Sequence, residues 1–215
     1  MNPEAPRSSG TSDYQKEQIA ALQLVRTHLA SLGGSETARL RELISPYQSF
    51  RAETDLFLSS HFSQICSGSC YENRLSACCS KEGIITFFAD VVINALLSGE
   101  GTLNRLQERL SRPNTGFKCV YLAEDGCLWK MKPIVCQMFL CDKAEKKVFE
   151  ENLAAGERWD ALKQQRKEFT WPDRPVVFDR IETLFIEAGY VSPLMYLHNS
   201  PGLIRVKRRA GLLSP

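Results

Sequence analysis

The chain has 215 residues, 43% of them hydrophobic and 24% charged, with a formal charge of +2. A chain this long can bury roughly 70% of the surface that its unfolded form exposes, so it can fold without covalent staples. The composition is that of a globular protein, and the small net charge makes no electrostatic case for nucleic acid or for a membrane surface.

Residues 1–11 are polar, with Pro, Ser and Gly, and read as a disordered N-terminal arm with no apolar segment of the secretory kind. The sequence "SDYQ" then offers a capping box at Ser12. Ile19, Leu22, Val25, Leu29 and Leu32 recur at helical spacing until Gly33. A second helix carries Leu40, Leu43 and Ile44. "SPYQ" predicts a fresh start, with Ser45 as cap and Pro46 at the first helical position, running on toward His61 and Phe62. The stretch 66–79, "CSGSCYENRLSACC", lacks a clean period and reads as a loop with a helical turn or two.

The longest apolar run, "GIITFFADVVINALLSG" at 83–99, contains Asp90 and Asn94 and is short for a bilayer, so it reads as a buried helix. A short amphipathic helix follows at 103–110. Residues 118–131 hold two β-prone runs joined by an Asp-Gly turn, which predicts a small hairpin. From Lys143 to Phe169 the chain is charged and helix-forming, "TWPDRP" breaks it, and 176–188 is amphipathic. Residues 193–215 hold three prolines and the basic run "RVKRR", and read as an irregular, solvated basic tail. The expected fold is mainly α, with helices flanking a cysteine-rich metal-binding segment and one small β-hairpin. The domain boundaries are 1–11 for the arm, 12–192 for a single helical domain and 193–215 for the tail. The expected location is the cytoplasm, with no membrane partner.

The eight cysteines, Cys66, Cys70, Cys78, Cys79, Cys119, Cys127, Cys136 and Cys141, all fall within residues 66–141. In a reducing compartment such clustering points to metal or catalysis rather than to disulfides. Their spacing is C-x3-C-x7-C-C, a gap of thirty-nine residues, then C-x7-C-x8-C-x4-C. Four thiolates complete either a tetrahedral zinc site or a cuboidal iron–sulfur cluster. Cys66 and Cys70 would share one helical face. Cys119 and Cys127 flank the hairpin turn and can converge at its base. Adjacent Cys78 and Cys79 would diverge in a helix or a strand, toward different partners. The C-x2-C knuckle of structural zinc and the C-x2-C-x2-C run of ferredoxins are both absent from the sequence. So are a glycine-rich strand–turn–helix of the G-x-G type and a radical-initiating C-x3-C-x2-C triad.

In order and number these cysteines resemble the YkgJ-type family of cysteine-cluster proteins, a zinc- or iron-chelating domain. That family has a first C-x-x-C-x-x-C-C-like group, then C-x-x-L, G-C-x-x-Y and R-P-x-x-C-R-x-[FY]-x-C. Here "CVYL" (119–122), "DGCLW" (126–129) and "KPIVCQMFLC" (132–141) follow the first group in that order. The likeness covers about residues 62–145. Lys132 and Gln137 stand where the family has arginines, Trp129 replaces a tyrosine, and seven residues precede the Cys78–Cys79 pair. The resemblance implies that all eight cysteines are metal ligands. The cofactor is then an iron–sulfur cluster, of the four-iron four-sulfur type, or zinc. The function expected is metal binding, redox-linked if the centre holds iron. The alternatives are a protein-modifying enzyme similar to the flagellin lysine N-methylases and a zinc-stabilised interaction module with a protein partner.

Four other features carry weaker expectations. His61 either supplies a ligand or packs beside Phe62. His28 reads as a surface residue and His198 as a loop histidine without a partner. Asp90 reads as a capping or solvent-facing carboxylate rather than as an acid–base group. Pro133 is expected to set the chain direction into Cys136 and to leave backbone N–H groups pointing at sulfur.

Overall fold

Ser12 begins the fold as the sequence predicts. Its hydroxyl accepts the Gln15 amide at 3.3 Å, while Gln15 Oε1 accepts the Ser12 N–H at 3.2 Å. The buried Gln15 amide also donates to the carbonyls of Leu110 and Arg112, at 2.8 and 2.7 Å. One side chain thus caps a helix and fastens it to a distant one. The computed structural model describes residues 10–214 other than 77, 82 and 83. The first nine residues of the predicted arm therefore lie outside the described residues.

Helix α1 spans Asp13–Ser31 and α2 spans Gly34–Ser63. The fresh start expected at Ser45 does not occur, and Pro46 sits inside α2. A proline there removes one backbone hydrogen bond and costs about 3 kcal/mol in a helix interior. The buried face of Leu40, Ile44, Tyr47 and Phe50 spans that position and offsets the cost. Past Ser63 the helix widens into a π-helical turn, Gln64–Tyr71, which carries Cys66 and Cys70.

Helix α3, Phe88–Leu97, is buried from Phe88 to Leu96, as a helix apolar on all sides must be. Helix α4 is Glu100–Leu110. The hairpin consists of β1, Leu122–Ala123, and β2, Gly126–Cys127, antiparallel, with Leu122 opposite Cys127. Gly126 takes φ +114, a conformation side chains disfavour, and so closes the turn. A four-residue α5, Ile134–Gln137, carries Cys136. The charged stretch predicted as one helix divides into α6, Asp142–Glu151, and α7, Leu153–Thr170. Asn152 ends the first and caps the second by accepting the Ala155 amide at 3.0 Å. Helix α8, Val177–Glu187, follows the "TWPDRP" break.

Within 193–215, expected to be irregular, the chain forms α9, Tyr196–Asn199, and α10, Pro201–Arg209. Nor is "RVKRR" simply a solvated run. Lys207 is only 3% exposed and donates to Asp179 Oδ1 at 2.7 Å. Its aliphatic stem belongs to the apolar face, which a count of charges does not register. His198 stands in the same cluster, with Nε2 3.0 Å from Asp179 Oδ1. His28 is half-buried rather than at the surface, its ring 4.5 Å from Phe185 and 4.9 Å from Tyr190.

Helix α3 packs against α1 and α8, α1 also against α4, and α2 against α7 and α8. The molecule is mainly α, with ten α-helices and one two-stranded hairpin among the described residues. None of these helices is long and apolar enough to cross a membrane.

Beside Asp179, Glu182 is fully buried. Its Oε1 accepts the Leu197 N–H at 3.4 Å, and Oε2 has no hydrogen-bond partner. Burial raises its pKa from 4.5 to about 8, Asp179 adds to the rise, and the Leu197 and His198 amides and Lys207 oppose it. The fold therefore accommodates the neutral acid. That stability is full below about 4.5, falls as pH rises, and is lost by about 8. Asp179 has the opposite sign. Burial raises its pKa, but hydrogen bonds from His198 and Lys207 more than offset this and leave it below 3.8, so its contribution is lost in acid. Glu182→Gln is expected to raise Tm relative to the native chain above pH 8 and to leave it nearly unchanged near pH 4.5. Thermal melts across that range check the difference, and an equal shift at both ends would contradict it.

Candidate metal centre

Residues 119–141 would be an irregular strap if left alone, but polar side chains of the helical body fasten it. Asp90 and Asn94, one turn apart on α3, accept backbone N–H groups from the strap. Asp90 Oδ1 takes Ile134 N at 3.1 Å, and Asn94 Oδ1 takes Met131 N at 3.2 Å. The other Asp90 oxygen accepts the Phe87 N–H at 3.1 Å. The capping role expected for Asp90 is present, but the residue is 3% exposed and does not face solvent. Burial raises its pKa to about 6, against the lowering effect of Arg51 and of its two backbone donors.

Arg51 on α2 is the third fastening. It is 2% exposed and donates to the Tyr47 hydroxyl at 2.8 Å, to the Lys132 carbonyl at 2.6 Å and to Gln137 Oε1. The Gln137 amide donates in turn to Asp55. On the other side, Arg109 of α4 donates to the Val120 carbonyl at 3.0 Å, and Arg105 forms a two-pronged pair with Asp125 at 2.9 Å. Pro133 ends the extended approach to α5. The nearby Met131 and Ile134 N–H groups go to α3 side chains.

The first cysteine segment is held against this strap. Ser80 pairs with Lys118 as an antiparallel bridge, and the Cys119 amide donates to the Cys79 carbonyl at 2.9 Å. Lys118 Nζ donates to the carbonyls of Leu75 and Ser76, and the Tyr71 hydroxyl donates to the Glu124 carbonyl at 2.6 Å. Arg74 and Ser76 take φ of +57 and +36, so the turn between Cys70 and Cys78 is strained.

None of the eight predicted cysteines forms a disulfide. Cys66 lies within charge range of Cys78, Cys141 and Cys70, and Cys79 within range of Cys119 and Cys127. Cys119 senses Cys127 and Cys136, and Cys136 senses Cys127 and Cys78. Cys78 and Cys79 do not diverge as predicted. They occupy neither helix nor strand, and the Cys78 thiol donates a hydrogen bond to Cys79. That bond, helped by burial, pushes Cys78 up and holds Cys79 below 9.0. Burial raises Cys119 and Cys136 to about 11, and raises Cys66 and Cys127 as well. Backbone N–H groups partly counter this. The Tyr121 amide donates to the Cys119 sulfur at 3.4 Å, and the backbone of Trp129 and of Ile85 opposes the rise at Cys127 and at Cys136. Lys132 lies within charge range of Cys66, Cys78, Cys79 and Cys127.

The donor chemistry, thiols with amide-to-sulfur hydrogen bonds, suits a soft metal. The spacing is looser than coordination requires: among the described residues no three His, Cys, Asp or Glu side chains form a group that could hold a metal ion. The His61 ring packs against Phe57, ring centres 4.7 Å apart and tilted by 44°.

No family model, curated protein or solved structure matches the chain. The likeness to YkgJ-type proteins accordingly rests on the order and number of the cysteines.

Reading the sequence missed Arg51, although 44, 47, 51 and 54 form one helical stripe and a charge within it was visible. Arg51→Lys keeps the charge but loses the planar fork. Each lost bond to a charged donor costs about 1.5–3 kcal/mol. The variant is expected to lower stability in urea unfolding and to speed iodoacetamide labelling of Cys136 while sparing Cys66. Uniform labelling changes at both thiols would refute the positioning role.

Proposed function

We propose that this protein binds a soft metal, zinc or an iron–sulfur cluster, through its clustered thiols. One observation carries the reading. Two segments separated by thirty-nine residues are joined by the Ser80–Lys118 bridge and the Cys119–Cys79 hydrogen bond, and every cysteine of the chain lies on one of them or on the strap that continues from them. Buried thiols with no ligand to hold gain little from such concentration, because each thiolate opposes the ionisation of its neighbours. A divalent metal reverses that balance by replacing protons and neutralising the repulsion. The amides aimed at Cys119, Cys127 and Cys136 favour the ionised sulfur that a metal requires.

With zinc, four thiolates close the coordination shell and the role is structural. With an iron–sulfur cluster, the same amide donors would help set the reduction potential, and electron transfer becomes the activity. Ligand formation draws the thiols together, and the strained 74–76 turn is where the first segment can adjust. Anaerobic purification followed by metal and acid-labile sulfide analysis, with a visible absorption spectrum, tests the reading. Iron with sulfide and a brown chromophore selects the cluster, and stoichiometric zinc without colour selects the structural site. A chain that holds neither metal, and takes up neither on reconstitution, would overturn it.

A further inference from the structure

A cavity of about 780 Å³ lies between the end of α1, the first part of α2 and the length of α8. Small-molecule sites have volumes of roughly 300–1,000 Å³. The floor is apolar. Leu40 and Phe185 are buried, Leu32 and Leu43 are half-buried, and Leu184 is left 42% exposed. Covering that surface removes apolar area from water, which favours an occupant with an apolar body. The His28 ring forms part of the wall, its centre 4.5 Å from that of Phe185. Burial holds its pKa below 6.5, against the raising effect of Glu36, so near neutral pH the ring is uncharged and keeps one N–H to donate.

The charged groups around this floor are unequal in their engagements. Glu36 Oε2 accepts the Gly33 N–H at 2.9 Å, at the start of α2. Asp179 Oδ1 accepts from Lys207 at 2.7 Å and lies 3.0 Å from His198 Nε2, so its charge is already met within the fold. The two guanidinium groups have no such engagement. Among the described residues neither Arg39, on α2, nor Arg180, on α8, has a hydrogen-bond or ion-pair partner, and both are exposed. Glu42 stands three residues from Arg39 on the same helix, a spacing that permits an ion pair, yet none forms. The cavity thus joins an apolar floor to two unpaired cations that reach it from different helices.

We propose that this cavity binds a small amphipathic carboxylate, with its apolar chain on the leucine floor and its head group between Arg39 and Arg180. The planar guanidinium fork matches a carboxylate and binds it through two parallel hydrogen bonds. A cationic ligand lacks a free counter-charge at Asp179, which Lys207 already holds. A second copy of the chain, docked face to face, would bring the same two arginines against themselves.

Isothermal titration calorimetry of the full reduced chain with octanoate, beside octanol and octylammonium, tests the proposal. Octanoate is expected to bind saturably at one equivalent, about tenfold or more tighter than either analogue, as the loss of a charge-assisted hydrogen bond predicts. On saturation the His28 ring resonances should shift while those of His61 stay in place. Arg39→Gln with Arg180→Gln should weaken octanoate by at least about tenfold and leave Tm nearly unchanged, since both side chains are exposed. Leu184→Asp, also at an exposed position, should weaken it as well by placing a like charge on the floor. Absence of octanoate binding would overturn the proposal, as would equal or tighter binding of octylammonium, an unchanged affinity in the double arginine variant, or shifts at His61 in place of His28. Concentration-dependent dimerisation that Leu184→Asp abolishes, without octanoate uptake, would assign the face to a second copy instead.

Discussion

Everything at the cysteine-rich side of this molecule depends on three polar side chains set into otherwise apolar helix faces. Asp90 and Asn94 accept the Ile134 and Met131 N–H groups near Pro133, and Arg51 donates to the Lys132 carbonyl between them. A strap with little regular structure leaves backbone groups unpaired, and each one buried without a partner costs about 1–3 kcal/mol. Supplying those partners from a rigid helix fixes the path of the strap as firmly as a sheet would. The proline assists because it has no donor to satisfy at the tightest point. The buried carboxylate and the buried guanidinium also need each other. Asp90 stays partly ionisable, near 6, because Arg51 is close, and Arg51 tolerates burial because its donors reach Tyr47, Gln137 and Lys132.

The two cysteine-bearing segments are consequently unequal in firmness. The strap is anchored by buried bonds to α2 and α3, and by Arg109 from α4. The first segment, 66–80, is anchored by a single bridge, by Lys118 and by Tyr71, much of this at the surface, and it contains two non-glycine residues in the left-handed region. Surface polar contacts of this kind contribute little each. The segment therefore has the lower local stability, and the sulfurs it carries are the ones that can adjust toward a ligand.

Where the sequence was legible, periodicity or turn chemistry made it so. The capping box at Ser12, the fully apolar α3 and the Asp-Gly hairpin each follow from local rules and appear where expected. The failures share a cause: tertiary packing overrode a local signal. Pro46 announces a helix start, yet the stripe of buried residues across it keeps α2 continuous. "RVKRR" announces a solvated tail, yet Lys207 is buried and finds Asp179. At the site, the identity and clustering of the thiols were plain in the sequence, whereas their support was not. Asp90 and Asn94 were visible as polar residues one turn apart in an apolar helix. That pattern says they must find partners but cannot say that the partners lie about forty residues downstream.

Charge gives the last link between the strap and its thiols. Four thiolates around a divalent metal leave a net charge of about −2, and an oxidised four-iron cluster with four thiolates leaves the same. Thiolates close together repel one another unless a cation lies near them. Lys132 lies within charge range of Cys66, Cys78, Cys79 and Cys127. It can fill that position because Arg51, and not residue 132 itself, supplies the planar fork that fixes the local backbone. An ammonium at the end of a flexible stem follows a shifting charge better than a guanidinium committed to three acceptors. The division of work between the two cations thus matches the division between a fixed strap and an adjustable segment.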